Sequence, residues 1–167
     1  MTLREIHLLL SFKTKTSKME KQESDYNMID WWKKVFFKNY ANFKGRARRS
    51  EYWYFVLGNF LLIIPFYILG IMGITNDNSA LSILGIAVYS ILILATIVPG
   101  LAVAVRRLHD VNRSGWFYFI GLIPLIGGII LLVWFLSEGD RFTNNYGTDS
   151  KNIDEVEFDF ERPEIIN

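Results

Sequence analysis

The chain has 167 residues, of which 51% are hydrophobic and 16% aromatic, a larger share than a soluble domain of this length needs to fill its core. The formal net charge is +1, but seven of the 18 basic residues lie between Lys33 and Arg49, and nine of the 17 acidic residues lie between Glu138 and Glu164. The absence of cysteine excludes disulfides and thiolate metal sites, and two histidines are too few for a histidine-built metal site. We therefore expect neither a metal nor a cofactor.

Residues 1–27 are mixed in charge and contain few signals of regular structure. The apolar patch at residues 8–12 is too short for the core of a signal peptide, and no small-residue cleavage site follows it. We interpret this segment as an N-terminal extension that is either disordered or a consequence of the chosen start, with Met19 and Met28 as alternative starts. A membrane domain over residues 28–149 and an acidic tail over residues 150–167 follow it.

Residues 28–43 carry apolar and basic side chains on different faces of a predicted helix. The lysines mostly lie away from the apolar positions, which are Trp32, Val35, Phe36, Tyr40 and Phe43. Asp30 is the predicted N-cap of this helix and Gly45 its predicted stop. The pattern is typical of a short amphipathic helix in the lipid headgroup layer, and a helix that packs on a partner protein is the alternative.

Three stretches of 25, 28 and 24 residues without a formal charge follow one another between Glu51 and Glu138. Since about 20 apolar residues cross a hydrocarbon core of about 30 Å, they predict transmembrane helices over residues 53–74, 81–104 and 115–136. The third stretch contains Pro124 and several glycines, so it is either a bent crossing or a re-entrant segment. The predicted fold is therefore an all-α integral membrane protein with three transmembrane helices, preceded by the short amphipathic interfacial helix.

Basic residues flank these spans unevenly. Seven lie between Lys33 and Arg49, just before the first span, none lies in the loop 75–80, and three lie between the second and third spans. Because Lys and Arg in short loops favour the cytoplasm, three crossings place the N-terminus in the cytoplasm and the C-terminus outside; if the third segment re-enters instead, the acidic tail lies in the cytoplasm as well. Ser50 and Ser114 are the predicted N-caps of the first and third spans. The predicted aromatic anchors at the membrane interfaces are Trp31, Trp32, Trp53 and Trp116.

Two motifs rich in arginine border the spans: G-R-A-R-R-S-E-Y-W, which ends at Trp53, and R-R-L-H-D-V-N-R-S-G-W, which ends at Trp116. They predict either an anionic-lipid site or a set of structural ion pairs, formed by Arg46, Arg48, Arg49, Glu51, Arg106, Arg107, His109, Asp110 and Arg113. His109 beside Asp110 suggests acid–base chemistry, but adjacent residues on a helix do not face each other and no activated nucleophile accompanies them. We therefore predict no catalytic residue.

These two motifs, a turn at residues 124–127 and the pattern N-x-Y-G that ends at Gly147 together resemble the bacterial inner-membrane domain-of-unknown-function 805 family. The likeness extends over about residues 30–149. It implies a protein of the bacterial cytoplasmic membrane, and it implies no activity.

The predicted topology brings both arginine motifs to the cytoplasmic membrane surface. There we expect Arg46 or Arg49 to contact Asp110, and Glu51 to contact Arg106 or Arg107. Two functions fit this arrangement. The first is a non-enzymatic membrane component whose basic cytoplasmic face binds anionic lipid headgroups or a partner protein.

The alternative is a small oligomeric transporter or export component. The predicted spans contain no ionisable residue of the kind that marks an ion pathway, and three helices in one monomer hardly enclose a pore. The expected partners are therefore the lipid bilayer, including its anionic lipid headgroups, and a second copy of the chain or another membrane protein. No nucleic-acid partner is expected.

Overall fold

The computed structural model describes residues 23–149 and residue 151; most of the predicted extension and of the acidic tail lie outside this part of the chain. Every regular element in the described residues is helical. A single 3-10 turn precedes helix α1 (Met28–Lys33), which continues as a π-helical segment (Lys34–Lys38). The later elements are α2 (Arg49–Thr75), α3 (Ser79–Asp110), a 3-10 helix (Gly115–Leu122) and α4 (Ile126–Leu136).

Helices α2 and α3 form an antiparallel hairpin of 27 and 32 residues, and both are long and apolar enough to cross a membrane. A Cβ on Gly73 would lie 2.2 Å from the nitrogen of Ser82, and a Cβ on Gly85 would lie 2.3 Å from the nitrogen of Gly70. Such close backbone approach is what holds helices together where lipid offers no hydrophobic driving force. The first two predicted spans are confirmed as apolar helices of spanning length, although Ser50 lies inside α2, whose N-cap is Arg48.

The third predicted span is not one helix. The chain forms the 3-10 helix, turns at residues 123–125, where Leu125 has φ 67°, and returns as the 11-residue helix α4. A Cβ on Gly127 would lie 1.9 Å from the carbonyl oxygen of Ile120, so the two arms cross at backbone contact. Residues 115–136 therefore form two short helical arms joined by a turn, which we call the re-entrant hairpin; whether this segment crosses the membrane stays a prediction.

Both arms of this re-entrant hairpin start from the same end of the α2–α3 pair. Gly115 packs on Val105 near the end of α3, and the Trp53 indole nitrogen donates to the Phe135 carbonyl, 3.3 Å away, near the start of α2. At about 1.5 Å per residue, α4 reaches about 16 Å from that end, half of a hydrocarbon core of about 30 Å. Gly115 and Leu136, the two ends of this hairpin, therefore lie at the same end of the α2–α3 pair, and the side of the membrane on which each terminus lies stays a prediction.

The N-terminal segment, residues 28–44, also runs into the molecule beside α2 and α3 and then turns back toward the start of α2. Asn27, not Asp30, is the N-cap of α1; Asp30 completes a capping box with it, at 2.9 and 3.0 Å. The helical segment ends at Lys38, well before the predicted stop at Gly45, because the chain must turn back to reach α2. Trp31 is 3% exposed, so it is a core residue and not the predicted interfacial anchor.

Tyr40 marks how deep this segment reaches. Pro99 has no N–H, so the carbonyl of Ala95, one turn earlier in α3, lacks its helical partner. The Tyr40 hydroxyl donates to this carbonyl oxygen at 2.9 Å. Ala95 precedes Arg106 by three turns, about 16 Å along the axis. The N-terminal segment and the re-entrant hairpin therefore occupy the same half of the molecule, and both buried clusters of apolar side chains lie there.

Candidate functional site

The charged residues of the two arginine motifs meet where α2 begins and α3 ends. We call this end the rim: residues 45–51, residues 106–114 and the connecting segment 137–149. At the rim, the α2–α3 hairpin, the N-terminal segment and the re-entrant hairpin contact one another. Among the described residues, no group of three or more His, Asp or Glu side chains is arranged to hold a metal ion.

Asp110 is the central carboxylate of the rim and is 3% exposed. Its Oδ1 accepts from Arg46 Nε at 2.9 Å, and its Oδ2 accepts from Arg107. Gly139 lies directly against it, because a Cβ there would be 2.0 Å from Oδ2. The Asp110 carbonyl also accepts from the Asp140 backbone N–H at 2.9 Å, so this residue joins α3 to two separate segments.

Arg46 binds the segment 137–149 to the other two segments of the rim. Beyond Asp110, its guanidinium donates to the carbonyls of Asp140, Phe142 (2.9 Å) and Gly147 (3.3 Å). The side chain is 2% exposed. An arginine with its donors matched to one carboxylate and several carbonyls satisfies the condition under which a buried charge is tolerated.

Arg107 and Arg49 hold the end of α4. Arg107 is fully buried and donates to the carbonyls of Phe135 (3.3 Å) and Ser137, and Arg49 donates to the Leu136 carbonyl at 3.3 Å. The last carbonyls of a helix have no helical partner and carry its negative dipole end, so cations stabilise them. These two arginines therefore favour the return of α4 to the rim.

Glu51 is the second buried carboxylate, 1% exposed. It accepts from Arg106 through one oxygen and lies 2.9 Å from Lys34 Nζ through the other. Lys34 also contacts Glu23, which joins the first described residues to the rim. The Nε and Nη2 atoms of Arg106 are buried without a hydrogen-bond partner among the described residues.

His109 and Asp110 are adjacent in sequence but engage different partners. His109 Nδ1 lies 3.1 Å from the Gly45 carbonyl oxygen, and since a carbonyl only accepts, Nδ1 carries the proton. The imidazole stacks on Tyr146 with ring centroids 3.9 Å apart. Asn144 donates to the His109 carbonyl at 2.9 Å. The N-x-Y-G pattern thus packs on the histidine of the R-R-L-H-D motif.

The structure contains both contacts expected from the motifs, Arg46 with Asp110 and Glu51 with Arg106. Sequence reasoning missed Lys34 as a second partner of Glu51, and it missed the contribution of residues 139–147. The turn-rich composition of that segment indicates a loop, but it does not indicate which residues the loop packs against. Local spacing gives no sign of the contacts of Arg46 with the Phe142 and Gly147 carbonyls, which span 96 and 101 positions of sequence.

The remaining predicted residues lie at the edge of this network. Arg48 lies 3.4 Å from Glu23 and over the Trp31 ring, and Arg113 is exposed over the ring of Trp134, 5.4 Å from its centroid. Among the predicted aromatic anchors, Trp116 is 80% exposed.

The Trp32 and Trp53 indoles are directed inward. Trp32 Nε1 donates to Asn59 Oδ1 in α2 at 2.9 Å, and Trp53 Nε1 donates to the Phe135 carbonyl. Both rings also pack against the buried apolar clusters. These two tryptophans therefore join helices to one another.

A family model described as a protein of unknown function (DUF805) matches residues 40–148. The chain is 41% identical over 124 residues to the inner membrane protein YhaI of Escherichia coli (strain K12), a match that covers 74% of this chain and 97% of YhaI. It is also 41% identical over 127 residues to the inner membrane protein YhaH of the same strain, covering 74% and 98% of the two chains. No solved structure matches the chain. With its two long apolar helices, the chain is therefore an integral membrane protein that belongs to the DUF805 family, whose function is unknown.

Proposed function

We propose that this protein is a non-enzymatic component of the bacterial inner membrane whose cytoplasmic rim binds anionic lipid headgroups. The observation that carries the proposal is the division of charge at the rim end of the molecule. The buried arginines pair with buried carboxylates, and Arg46 and Arg107 also donate to carbonyl oxygens. Apart from Asp77 in the opposite turn, the described charged side chains that are exposed are mainly basic: Asp25 and Glu138 are acidic, against Lys33, Lys38, Lys44, Arg113, Arg141 and Lys151.

This division gives the buried and the exposed basic residues different roles, which the sequence alone did not distinguish. The buried arginines hold the fold, since removing one partner of a buried pair leaves an uncompensated charge. The exposed lysines and arginines lie among exposed aromatic side chains, including Phe37 (69%), Phe43 (42%) and Trp116. Each basic residue near an anionic bilayer surface contributes about 1 kcal/mol of attraction. Several together favour acidic lipids over zwitterionic ones.

The proposal includes a topology of two crossings, with the rim in the cytoplasm. Arg46 contacts the carbonyls of Phe142 and Gly147, so the segment before α2 and the segment after α4 lie at one end. The opposite turn, residues 76–78, has no basic residue and one acid, Asp77. The positive-inside rule then orients the rim toward the cytoplasm. A reporter fused after Asn167 tests this: activity in the cytoplasm alone supports two crossings, and activity outside contradicts them.

A non-enzymatic role is supported by the geometry at the only adjacent His–Asp pair of the sequence. Asp110 is engaged by Arg46 and Arg107, and His109 by Gly45 and Tyr146. A general base must reach the proton that it removes and be oriented by a partner of its own. The arrangement at these two residues serves packing and charge compensation instead.

Native mass spectrometry of the purified protein tests lipid binding directly. We expect retention of phosphatidylglycerol over phosphatidylethanolamine of the same chain length, and loss of this preference when Lys33, Lys38, Lys44 and Arg113 are all replaced by Gln. A matched control exchanges Lys for Arg and Arg for Lys at the same four positions and should keep the preference. Equal retention of the two lipids by the unaltered protein would contradict the proposal, and a defined ring-like oligomer without bound acidic lipid would favour a transporter.

A further inference from the structure

A cavity of about 480 Å³ opens on the side of α3 next to the rim. Its floor is a single stripe of α3 one helical turn apart, Leu101, Val105 and His109. Phe43 of the N-terminal segment lines one side, and Trp116 and Phe119 of the 3-10 helix line another. We call this cavity the groove. It lies between the two segments that enter the molecule from the rim.

The shape of the groove follows from contacts in the fold. Gly115 brings the 3-10 helix onto the groove floor, since a Cβ there would be 2.7 Å from Val105 Cγ1. Ser114 caps this helix by accepting from the Trp116 N–H at 3.4 Å. On the other side, the hydrogen bond between His109 and the Gly45 carbonyl holds the chain two residues after Phe43. The groove is therefore shaped by contacts within the chain on both of its sides.

The groove changes from apolar to polar along its length. Leu101 lies about 12 Å along the α3 axis from His109, at about 1.5 Å per residue, and so deeper in the membrane. The deep part is lined by aliphatic and aromatic carbon, while His109 and Ser114 line the end at the rim. A basic residue flanks each side of that end, because exposed Lys44 follows Phe43 and exposed Arg113 precedes Ser114. This order matches a lipid with an apolar chain and an anionic head.

We infer that the groove is a specific site for one phospholipid with an acidic headgroup. One acyl chain lies along Leu101 and Val105 between Phe43 and Phe119, and the phosphate lies at the rim end, near Lys44 and Arg113. The preference for an acidic headgroup rests on the proposed function. The existence of one fixed acyl-chain site in the groove is a separate statement, carried by the cavity and its walls.

The groove is tested by filling it. Native mass spectrometry titrations with phosphatidylglycerol and phosphatidylethanolamine would compare the unaltered protein with Leu101→Trp. The control is Leu94→Trp, two turns deeper on α3 at a side chain that is 67% exposed and does not line the groove. We expect Leu101→Trp to weaken the tightest phosphatidylglycerol binding about tenfold or more, while Leu94→Trp leaves it within about twofold.

Two further variants keep the test decisive. Trp116→Ala removes an exposed side chain that lines the groove. It should weaken phosphatidylglycerol binding severalfold, and it provides a test even if Leu101→Trp fails to fold. Lys44→Gln with Arg113→Gln should retain one tightly bound lipid but lose the headgroup preference. If both groove variants bind like the unaltered protein while the Gln variant loses binding, the groove is overturned and the proposed function stands. Equal and weak binding of both lipids by every protein would overturn both.

Discussion

Arg46 and Asp110 are 64 positions apart in sequence, and their side chains form an ion pair of 2.9 Å with 2% and 4% of their surfaces exposed. The pair connects the segment before α2 with the last residue of α3. Through the other donors of Arg46 it also connects the segment after α4. This single pair therefore joins the three parts of the chain that meet at the rim, and its removal is the most direct test of the fold.

Asp110→Asn should strongly destabilise the protein, because it leaves Arg46 and Arg107 buried without their shared carboxylate. Breaking a buried ion pair costs about 3–5 kcal/mol. Thermal unfolding in mild detergent measures the effect. The control is Glu138→Gln, whose pair with Arg49 is 55% and 43% exposed and should contribute at most about 1 kcal/mol. Similar losses in the two variants would contradict the central role of Asp110.

Gly127→Ala should disrupt the re-entrant hairpin, and Gly128→Ala should not. A Cβ at Gly127 would lie 1.9 Å from the Ile120 carbonyl oxygen, a backbone atom that cannot move aside alone, while nothing lies within 4 Å of a Cβ at Gly128. We expect a lower unfolding temperature and faster proteolysis near residue 139 for Gly127→Ala. Gly128→Ala should be as stable as the unaltered protein or slightly more so, because alanine favours a helix. Equal behaviour of the two would argue against the close crossing.

Tyr40→Phe should lower stability by about 0.6 kcal/mol, the average for hydrogen bonds between helices of a membrane protein, and by no more than about 1.7 kcal/mol. The variant keeps the ring and removes the donor to the Ala95 carbonyl. Pro99→Ala restores the N–H that this carbonyl lacks, so the loss caused by Tyr40→Phe should shrink in that background. Unfolding of the four proteins in a double-mutant cycle measures the coupling. Strictly additive effects would show that the two residues act separately.

Truncation after Lys151 should strengthen the preference for acidic lipid. Residues 152–167 contain six acidic residues and one arginine and continue from the rim end of the chain. Their carboxylates oppose anionic headgroups over about the Debye length, roughly 8 Å at physiological ionic strength. We expect tighter phosphatidylglycerol binding at low salt and convergence with the full chain at high salt. The same preference in both proteins at low salt would exclude this electrostatic contribution.

Several features could be predicted from the sequence because they depend on composition along a continuous stretch. The first two spans follow from long runs without charge, and α2 and α3 cover them. The contacts of Arg46 with Asp110 and of Glu51 with Arg106 could also be expected, once both motifs were placed at one membrane surface. The choice of Arg46 over Arg49 was left open, because it depends on the path of the chain between Gly45 and α2.

Other features could not be predicted from the sequence, because they depend on contacts between residues that are distant in sequence. A run of 24 uncharged residues has the same hydropathy whether it crosses the membrane or turns back. The re-entrant path depends on the positive φ of Leu125, the close crossing of Gly127 with Ile120, and the arginines that hold the end of α4. Asp30 has the side chain of a good N-cap, yet Asn27 takes that role and pairs with it.

The sequence by itself thus determined a helical membrane protein with three apolar stretches and two charged motifs, because hydropathy and charge are properties of continuous stretches of sequence. Only the tertiary structure decided that the third apolar stretch returns to the rim and that three of the six motif arginines, Arg46, Arg106 and Arg107, are buried in ion pairs. The physical reason is that a buried charge must find its partners in space. Here the partners of Arg46 and Arg107 are a carboxylate in α3 and carbonyls that the returning segment brings to them.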